Sequence, residues 1–393
     1  MRDIRLIVGA VGLSAIGDGL LWILLSFHIG ATTDSAFAVA ALFICLWGPV
    51  VALGGVAGRI VDTYENRRLL IGVSLAQAAV VVAMTFSTGS LPVLLALCLL
   101  LGAGVAVASP AEFALVPAAA GEERVAQANG HVEAARYLGM TLGPLFGGVL
   151  AATGGTRVGL LIDAASFLAV AAAGLALHAR RQPHGAPRSA KSEAGGRAIL
   201  LADRTLALTL AASVGALLFF TISVTADPFF VTDVLDAGPT TYGVLMSAWM
   251  LGMVAGAVGL ARLVPSPWLA VGALAGVAVQ GAGMLGAAVG ATIALAFAGF
   301  VVGGLAHGTK NVLLRTLIHE NVPEASRGRA FAAYNAARNG AELAALGAGG
   351  VIVGLAGSQV ALAVAGAVPL AIGVVTLLVI TAPATRRRRI AYA

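Results

Sequence analysis

Charged residues are scarce in this sequence. Asp, Glu, Lys and Arg together make up 11% of the 393 residues, whereas a typical soluble domain contains about 25%. A chain with so little charge cannot cover a water-facing surface, and its mean hydropathy of +0.95 agrees with this. A soluble globular fold is therefore excluded.

Cysteines and catalytic motifs are also few. The two cysteines, Cys45 and Cys98, both fall inside apolar runs, so a structural disulfide is not expected. The sequence contains neither a P-loop nor the H-E-x-x-H zinc motif, which argues against an ATP-driven pump and a zinc hydrolase. We therefore expect no enzymatic activity, no cofactor and no bound metal.

Long apolar runs are abundant instead. A helix of about 20 apolar residues crosses a hydrocarbon core of about 30 Å, and about twelve runs of that length follow one another. The first is too long for a signal peptide and contains Asp18. The pattern predicts a polytopic helical protein embedded in a lipid bilayer. The runs cover residues 4–28, 34–58, 69–88, 91–116, 127–152, 157–178, 205–233, 239–262, 267–288, 291–317, 329–354 and 358–381.

Lysine and arginine cluster in alternate loops between these runs. Because cytoplasmic loops carry an excess of Lys and Arg, the pattern predicts that both termini are cytoplasmic. An even number of runs agrees with this, since it puts both termini on the same side of the membrane. The net charge of +6 is then explained by topology, and we expect no nucleic-acid partner. The basic clusters lie at 2–5, 59–68, 180–204, 327–329 and 386–389.

The chain is internally repeated. A basic, polar segment over residues 179–203 divides the runs into two sets of six, residues 1–178 and 204–393. At an offset of 202 residues, "AARYLGMTLGPLFGG" (134–148) aligns with "AARNGAELAALGAGG" (336–350). Parallel repeats of this kind occur in alternating-access transporters. We therefore predict two pseudo-symmetric six-helix halves, with a duplicated scaffold and a channel as the alternatives.

Two segments resemble signatures of the major facilitator superfamily. The segment "GRIVDTYENRR" (58–68) resembles its loop signature, although Thr63 replaces a basic residue and Glu65 a glycine. The segment "GMTLGPLFGG" (139–148) resembles the pattern G-x-x-x-G-P-x-x-G-G of its drug:proton antiporters. The matching positions are Gly58, Asp62, Arg67 and Arg68 in the loop, and Gly139, Gly143, Pro144, Gly147 and Gly148 in the fifth run.

Two further segments, 109–130 and 322–340, resemble the branch of the superfamily that holds macrolide-efflux proteins and the enterobactin exporter. The resemblance implies an all-α protein of the bacterial inner membrane, with twelve transmembrane helices and rocker-switch alternating access. One departure concerns the fourth run. Many proton-coupled relatives carry an arginine shortly before G-x-G there, whereas "LCLLLGAG" (97–104) contains none.

Both signatures suggest contacts between the halves. The glycines of the fifth run fall at i, i+4 and i+8 on one side of a helix, and such strips allow close backbone approach in lipid. We expect this strip to pack against a helix of the other half and to favour the state sealed toward the outside. Asp62 lies at a helix C-terminus, where the dipole disfavours a carboxylate, so we expect it to contact the start of the eleventh run near Ser326 as a cytoplasmic latch. The alternatives are ordinary helix packing and a solvated carboxylate.

Ionisable side chains inside the runs are costly in hydrocarbon and therefore point to function. Burial favours the protonated form of a carboxyl group, so Asp18, between two glycines of the first run, is the leading proton-coupling candidate. A hydrogen-bonded structural carboxyl is the alternative. Charged residues three or four positions apart lie on the same helix face and can form an ion pair. Such a pair has either a structural role or a role in coupling. The other coupling candidates are Asp227, Asp163 and Glu133, and the predicted pairs are Glu133 with Arg136 and Arg338 with Glu342.

Several aromatic and basic residues are candidates for a substrate cavity suited to amphipathic cargo. His307 and Lys310 share one face of the tenth run. For each aromatic residue, packing or contact with lipid is the alternative. The predicted cavity residues are Trp22, Phe219, Phe220, Trp249, His307 and Lys310.

These features predict a secondary active transporter that exports amphipathic small molecules, such as drug-like compounds, siderophores or secondary metabolites, by proton antiport. The expected partners are that solute, protons and the lipid bilayer, and we expect a monomer. The alternative is a facilitator or an importer of a small metabolite or lysolipid on the same fold. The missing arginine of the fourth run leaves that alternative open.

Overall fold

The computed structural model describes residues 2–179 and 193–382. All regular secondary structure within those residues is helical, and they contain no strand, which confirms the all-α prediction. Most of the predicted basic linker and the basic tail, at 180–192 and 383–393, lie outside the described residues.

Seven α-helices form the chain before the linker. Short turns join them, and at one turn the Ser35 hydroxyl accepts a hydrogen bond from the amide of Ala38 at 3.4 Å, capping the next helix. Gly154 closes a later turn with a φ of 72°, a conformation that favours glycine. The helices are α1 Arg2–Thr33, α2 Ala36–Ala52, α3 Gly54–Thr63, α4 Asn66–Ser87, α5 Leu91–Ala120, α6 Val125–Ala152 and α7 Thr156–Ala176.

Eight α-helices follow, together with a five-residue π-helix at Phe230–Val234. Asp203 and Thr292 cap two of them with side-chain oxygens that accept from the amides of Leu206 and Leu295. The helices are α8 Glu193–Ala202, α9 Arg204–Phe220, α10 Ile222–Phe229, α11 Pro239–Val258, α12 Leu269–Gly290, α13 Ile293–Asn321, α14 Glu324–Ala356 and α15 Ser358–Thr381.

Ten helices of the described chain are long and apolar enough to cross a membrane, or eleven if the bent pair α2 and α3 counts as one span. The remaining predicted run corresponds to α6, a 28-residue helix. Its glycines and the charged Glu133 and Arg136 make it less apolar than a typical span. Each of the twelve predicted runs therefore has a helical counterpart. Eleven of these counterparts are long and apolar enough to cross a membrane when α2 and α3 count as one span.

The second predicted run is not one straight helix. The chain bends by 55° between α2 and α3. Pro49 lies inside α2, four residues before the break at Leu53, and two glycines, Gly54 and Gly55, begin α3. Proline and glycine are the usual causes of such kinks, because one removes a backbone donor and the other allows unusual geometry.

The contacts divide the molecule into two compact units. Unit 1 is Met1–Arg188 with Asp236–Ser247, and unit 2 is Ser189–Leu235 with Ala248–Ala393. The division therefore falls within α11. The sequence boundaries proposed for the two halves, at residues 178 and 204, stay predictions.

The same helix pairs recur within each unit. In unit 1, α6 packs mainly on α1, α4 on α7, and α5 on α2 and α4. In unit 2, α14 packs on α9 and α10, and α12 on α15 and α13. These are the pairs that the offset of 202 residues relates, since the fifth run contacts the first as the eleventh contacts the seventh.

Candidate functional site

The glycine strip of α6 lies directly against α1. Gly139, Gly143 and Gly147 are buried, and a Cβ atom added at any of them would lie 2.5 to 2.9 Å from a carbonyl oxygen of α1. No side chain fits at that separation, so only glycine allows this backbone contact. The three oxygens belong to Gly12, Ile16 and Leu20.

This arrangement corrects the prediction that the strip contacts the other half of the sequence. The glycines and the α1 carbonyls share a four-residue spacing, so the two helices of one half match along their length. Gly148 alone faces α11, where an added Cβ would lie 2.6 Å from the carbonyl oxygen of Pro239. Two turns earlier on α6, the Ser247 hydroxyl donates to the carbonyl of Thr141 at 2.6 Å.

Asp18 lies where α1 is clamped between two helices of unit 1. A Cβ atom at Gly17 would collide with the carboxyl group of Asp163 on α7. A Cβ atom at Gly19 would lie 2.8 Å from the ring of Pro144 on α6. The two glycines therefore fix α1 against α6 and α7, while Asp18 faces a small cavity beside α4 and α5.

This cavity has a volume of about 40 Å³, enough for about one or two water molecules and far too small for a drug-sized solute. Its wall combines hydroxyl, carboxamide and charged groups with apolar side chains. The polar residues that line it are Ser14, Asp18, Ser74, Gln77, Ser109, Glu112 and Arg136.

Arg136 is the one cation among the lining residues of this cavity. Its Nη2 lies 3.3 Å from Oε2 of Glu112, whose side chain is 13% exposed, and its guanidinium stacks 5.3 Å from the ring centroid of Phe113. The predicted partner Glu133 is farther away, with Oε1 at 4.0 Å from Nε and a side chain that is 39% exposed. Glu112, on α5, is thus the main partner, because the turn between α5 and α6 folds the two helices side by side.

Asp18 interacts electrostatically with both Glu112 and Arg136. The cluster therefore holds two carboxyl groups and one guanidinium beside the same small cavity. We call Asp18, Glu112 and Arg136 the unit 1 triad. If both carboxyl groups were ionised, the triad would carry one uncompensated negative charge, whereas one bound proton makes it neutral.

Asp163, on α7, lies beside Gly17 and interacts electrostatically with Asp18. It is fully buried, and its Oδ1 lies 3.4 Å from the Ser166 hydroxyl, which donates mainly to the Asp163 carbonyl at 2.7 Å. Its Oδ2 has no hydrogen-bond partner among the described residues. A carboxyl group in that position packs most easily as the neutral acid.

Four of the six predicted cavity residues meet in unit 2. Phe220 and Trp249 stack with ring centroids 5.0 Å apart, and the His307 ring lies 5.7 and 5.5 Å from them. Lys310, one turn along α13, is 3% exposed. Its Nζ donates to Oε1 of Gln280 at 2.8 Å, and Nδ1 of His307 lies 3.2 Å from the same oxygen.

The two other cavity candidates lie elsewhere. Trp22 belongs to unit 1, where its ring is 5.5 Å from that of Trp47 in an edge-on arrangement. Phe219 is half-buried on α9 and precedes Phe220, so its side chain points in another direction around the helix.

Unit 2 also contains an ion pair on α14 and a buried carboxyl group on α10. Arg338 pairs with Glu342 on α14, Nε to Oε1 at 3.1 Å, as their spacing predicts. Asp227 is 2% exposed, and its Oδ1 and the hydroxyl of neighbouring Thr225 have no hydrogen-bond partner in the described part of the chain. The π-helix that follows Asp227 marks an irregular stretch of backbone.

The sequence pattern of the Major Facilitator Superfamily matches residues 7–339 and 208–391. The chain belongs to this superfamily. It is accordingly a membrane transporter with the superfamily's all-α fold. No curated protein sequence matches it.

Solved structures of several transporters share the fold. A bacterial homologue of the iron transporter ferroportin, in an inward-facing state, has a TM-score of 0.75 and 15% identity over 96% of this chain and 98% of its own. A mutant of the nucleoside transporter NupG has a TM-score of 0.75 and 14% identity over 96% and 99%. A bacterial homologue of the human lysosomal transporter Spinster, also inward-facing, has a TM-score of 0.67 and 15% identity over 96% and 94%. At these identities the likeness establishes the fold alone.

The superfamily's loop signature ties helices together within unit 1. Arg67 donates from Nε to the Gly174 carbonyl at 2.8 Å and from Nη2 to the Leu175 carbonyl at 2.7 Å, which caps the C-terminal end of α7. Arg68 pairs with Glu65 at 3.0 Å but is 83% exposed. Gly58 and Asp62 lie on α3.

The predicted latch between Asp62 and the start of α14 stays a prediction. Around that start, Arg327 donates from Nε to the carbonyls of His319 and Val322, both at 3.1 Å. Arg329 donates to the hydroxyl of Ser326 at 2.9 Å. These bonds join the end of α13 to the first turn of α14.

Unit 2 of this superfamily member also contains a larger cavity, of about 610 Å³, between α8, α9 and α14. That volume suits a drug-sized molecule, since ligand pockets span about 300 to 1,000 Å³. Its wall is largely apolar, with one guanidinium and one phenol, and none of the six predicted cavity residues contributes to it. The lining residues are Arg197, Leu200, Leu201, Ala207, Leu210, Ala211, Val214, Ala333, Tyr334 and Ala337.

Proposed function

We propose that this protein is a proton-driven exporter of amphipathic small molecules in the bacterial inner membrane. The observation that carries the proposal is the unit 1 triad, in which two half-buried carboxyl groups and one guanidinium line a cavity of water size. Such a site fits the coupling proton, while a solute needs the larger space elsewhere.

Charge balance explains why the triad would bind a proton. An uncompensated charge in a medium of low polarity costs several kcal/mol (about 3–5 when one partner of a buried pair is missing). With Glu112 ionised against Arg136, the carboxyl group of Asp18 has no cation of its own. Asp18 is therefore the group that gains and loses the proton, and the small cavity supplies room for the water that carries it.

The helix packing around Asp18 supports a role for this residue in gating rather than a purely structural role. Gly17 and Gly19 hold α1 against α7 and α6, so a shift of either helix changes the surroundings of Asp18 directly. Proton binding and helix rearrangement would thus be linked, as rocker-switch exchange requires. An inward-moving proton supplies about 2.3 kcal/mol for roughly each 100 mV of membrane potential.

The export direction rests on the glycine motif of α6, which resembles that of drug:proton antiporters, and on the resemblance to the macrolide-efflux and enterobactin-exporter branch. The basic loops support cytoplasmic termini, because such loops concentrate on the cytoplasmic side. The cavity of about 610 Å³ in unit 2, apolar with Arg197 and Tyr334 in its wall, suits an amphipathic solute. The protein would act as a monomer with solute, protons and bilayer as its partners.

The test uses the full chain in proteoliposomes that contain a pH-sensitive dye and maintain an imposed proton gradient. Ethidium, erythromycin and a catecholate siderophore are added in turn to wild type and to Asp18→Asn. The matched control is Asp233→Asn, which alters an exposed carboxylate in the π-helix of unit 2. We expect at least one compound to dissipate the gradient with wild type and the control, and none with Asp18→Asn. Equal dissipation by Asp18→Asn would remove Asp18 from the mechanism.

A facilitator is the second candidate function. The observation that favours it is the fourth run, where "LCLLLGAG" (97–104) lacks the arginine of many proton-coupled relatives. In this fold Gly102 of that segment packs against the carbonyls of Cys45 and Leu46 on α2. If labelled solutes equilibrate across the bilayer while no compound moves protons, the facilitator is the better account.

A further inference from the structure

Lys310 is a buried side chain with no ion-pair partner among the residues that the structure describes. It is 3% exposed on α13, and the hydrogen-bond partner of its Nζ is the neutral carboxamide of Gln280. No carboxylate of the described residues lies within 4.0 Å of it, the distance that defines an ion pair. An ammonium group has three donors, so two of them remain for another acceptor.

The nearest acidic side chain is already engaged. Glu342 pairs with Arg338 at 3.1 Å, and Lys310 interacts electrostatically with both of them. Two cations therefore share one carboxylate, and this region of unit 2 carries an excess of positive charge. A buried cation is costly unless it is paired and hydrogen-bonded, so the missing partner is an anion.

An aromatic wall adjoins this cation. Phe220 and Trp249 stack 5.0 Å apart, and both rings lie within 5.7 Å of His307, which shares the Gln280 oxygen with Lys310. Phe220 and His307 are half-buried, so part of each ring is accessible at this side of the cluster. A flat apolar group would stack there with its charged group beside Lys310.

This cluster of unit 2 is not repeated at the aligned positions of unit 1. At the offset of 202 residues, Lys310 corresponds to Ala108, and Phe220 corresponds to Asp18. At one aligned position unit 1 thus has the carboxyl group of Asp18 where unit 2 has the ring of Phe220, and Lys310 has no charged counterpart. The opposite character of the two clusters indicates different ligands, a proton in unit 1 and an anionic group in unit 2.

We propose that Lys310, with Gln280 and His307, forms a subsite for the carboxylate of an aromatic solute, whose ring packs on Phe220 and Trp249. This inference rests on the proposed transport function, because it names the chemical class of the cargo: amphipathic aromatic carboxylates. It concerns binding, which requires no proton gradient.

The test measures binding of dansylglycine, an aromatic carboxylate, and of its neutral primary amide to the purified full chain in detergent. Energy transfer from tryptophan to the dansyl group reports binding, since Trp249 forms part of the proposed site. Wild type is compared with Lys310→Gln and with Gln280→Glu, which gives Lys310 a carboxylate partner within the protein. The matched control is Arg315→Gln, an exposed cation on the same helix.

We expect wild type and the control to bind the acid at least about ten-fold more tightly than the amide, as one charge-assisted contact allows. Both Lys310→Gln and Gln280→Glu would reduce that preference to about two-fold or less. Gln280→Glu keeps the test decisive if Lys310→Gln does not fold, because the new carboxylate pairs the buried cation. Equal affinities in wild type, no binding of the acid, or a preference retained in a variant that folds would overturn the proposal.

The two proposals can fail separately. A preference for the acid that depends on Lys310, without proton counterflow in proteoliposomes, would keep the subsite and refute the antiport. Proton counterflow with erythromycin or ethidium, without any preference for the acid, would keep the antiport and refute the subsite.

Discussion

Arg136 is the residue on which the chemistry of unit 1 depends. It is the cation of the triad, and its partner Glu112 lies 24 positions earlier on a different helix. Asp18 comes from a third helix, so three separate elements bring two acids and one base to one cavity. In the proposed mechanism the balance of two carboxyl groups against one guanidinium calls for one proton, which Asp18 holds while Glu112 pairs with Arg136.

The first prediction concerns Glu112→Gln. This change leaves Asp18 as the one acid of the triad beside Arg136, so we expect Asp18 to stay ionised and no longer to take up the coupling proton. Solute-dependent proton movement in proteoliposomes should fall by about ten-fold or more, the effect of about 1.4 kcal/mol in the proton-binding equilibrium.

Glu133→Gln is the matched control for that experiment. Glu133 is the more exposed acid and lies 4.0 Å from Arg136, so its loss should leave proton movement within about two-fold of wild type. If both variants behaved like wild type, the charge balance of the triad would have no part in coupling.

At the scale of the element, α6 and α1 form a contact that admits no side chain. The second prediction is that Gly143→Val destabilises the protein by about 1–3 kcal/mol, as overpacking does, because the added carbons meet the Ile16 carbonyl and Gly19. Thermal unfolding in detergent measures this.

The same helix supplies the control. Gly130 of α6 has no atom within 4 Å of an added Cβ, so Gly130→Ala should be neutral or stabilising by up to about 1 kcal/mol through helix propensity. Equal losses of stability in both variants would mean that the close contact between α6 and α1 does not contribute to stability.

The third prediction concerns the end of α7. Arg67→Ala removes two bonds to the last carbonyls of that helix and should cost about 1.5–3 kcal/mol. Arg68→Ala removes a pair whose arginine is 83% exposed, and it should cost less than about 1 kcal/mol. A comparison of the two unfolding temperatures decides whether the loop signature has this structural role; equal shifts would contradict it.

Sequence patterns predicted the helices more accurately than they predicted the contacts between helices. Apolar runs predicted every long helix, because a span through lipid needs a fixed length of apolar chain. The break at Leu53 was not predicted, although Pro49 and the glycines after it are the signals for a kink. The partner of the glycine strip was predicted on the wrong helix, since a strip indicates close approach and does not name the neighbour.

The site was predicted in part. Asp18 and Arg136 were candidates because each is a charged group in an apolar run. The role of Glu112 was missed, since pairing rules connect residues within a helix and Glu112 contacts Arg136 across two helices. Gln280 was also missed. It contacts Lys310 from a different helix, and a neutral amide in an apolar run is not by itself a signal of function.

At the scale of the whole molecule, the topology depends on whether α6 crosses the membrane. The fourth prediction is that Glu123→Cys and Thr153→Cys, at its two ends, lie on opposite sides. In a background with Cys45 and Cys98 replaced by alanine, an impermeant maleimide applied to intact cells should label Thr153→Cys and should reach Glu123→Cys after permeabilisation. Labelling of both in intact cells would contradict a transmembrane α6.

The central claim is that Asp18 couples an inward proton gradient to uphill movement of solute. The most direct measurement is the final internal-to-external concentration ratio of a radiolabelled solute in proteoliposomes, with and without an imposed gradient, for wild type and Asp18→Asn. The account predicts that wild type moves the solute against its concentration gradient and that Asp18→Asn brings it to equal concentrations. Uphill movement by Asp18→Asn, or mere equilibration by wild type under the gradient, would contradict it.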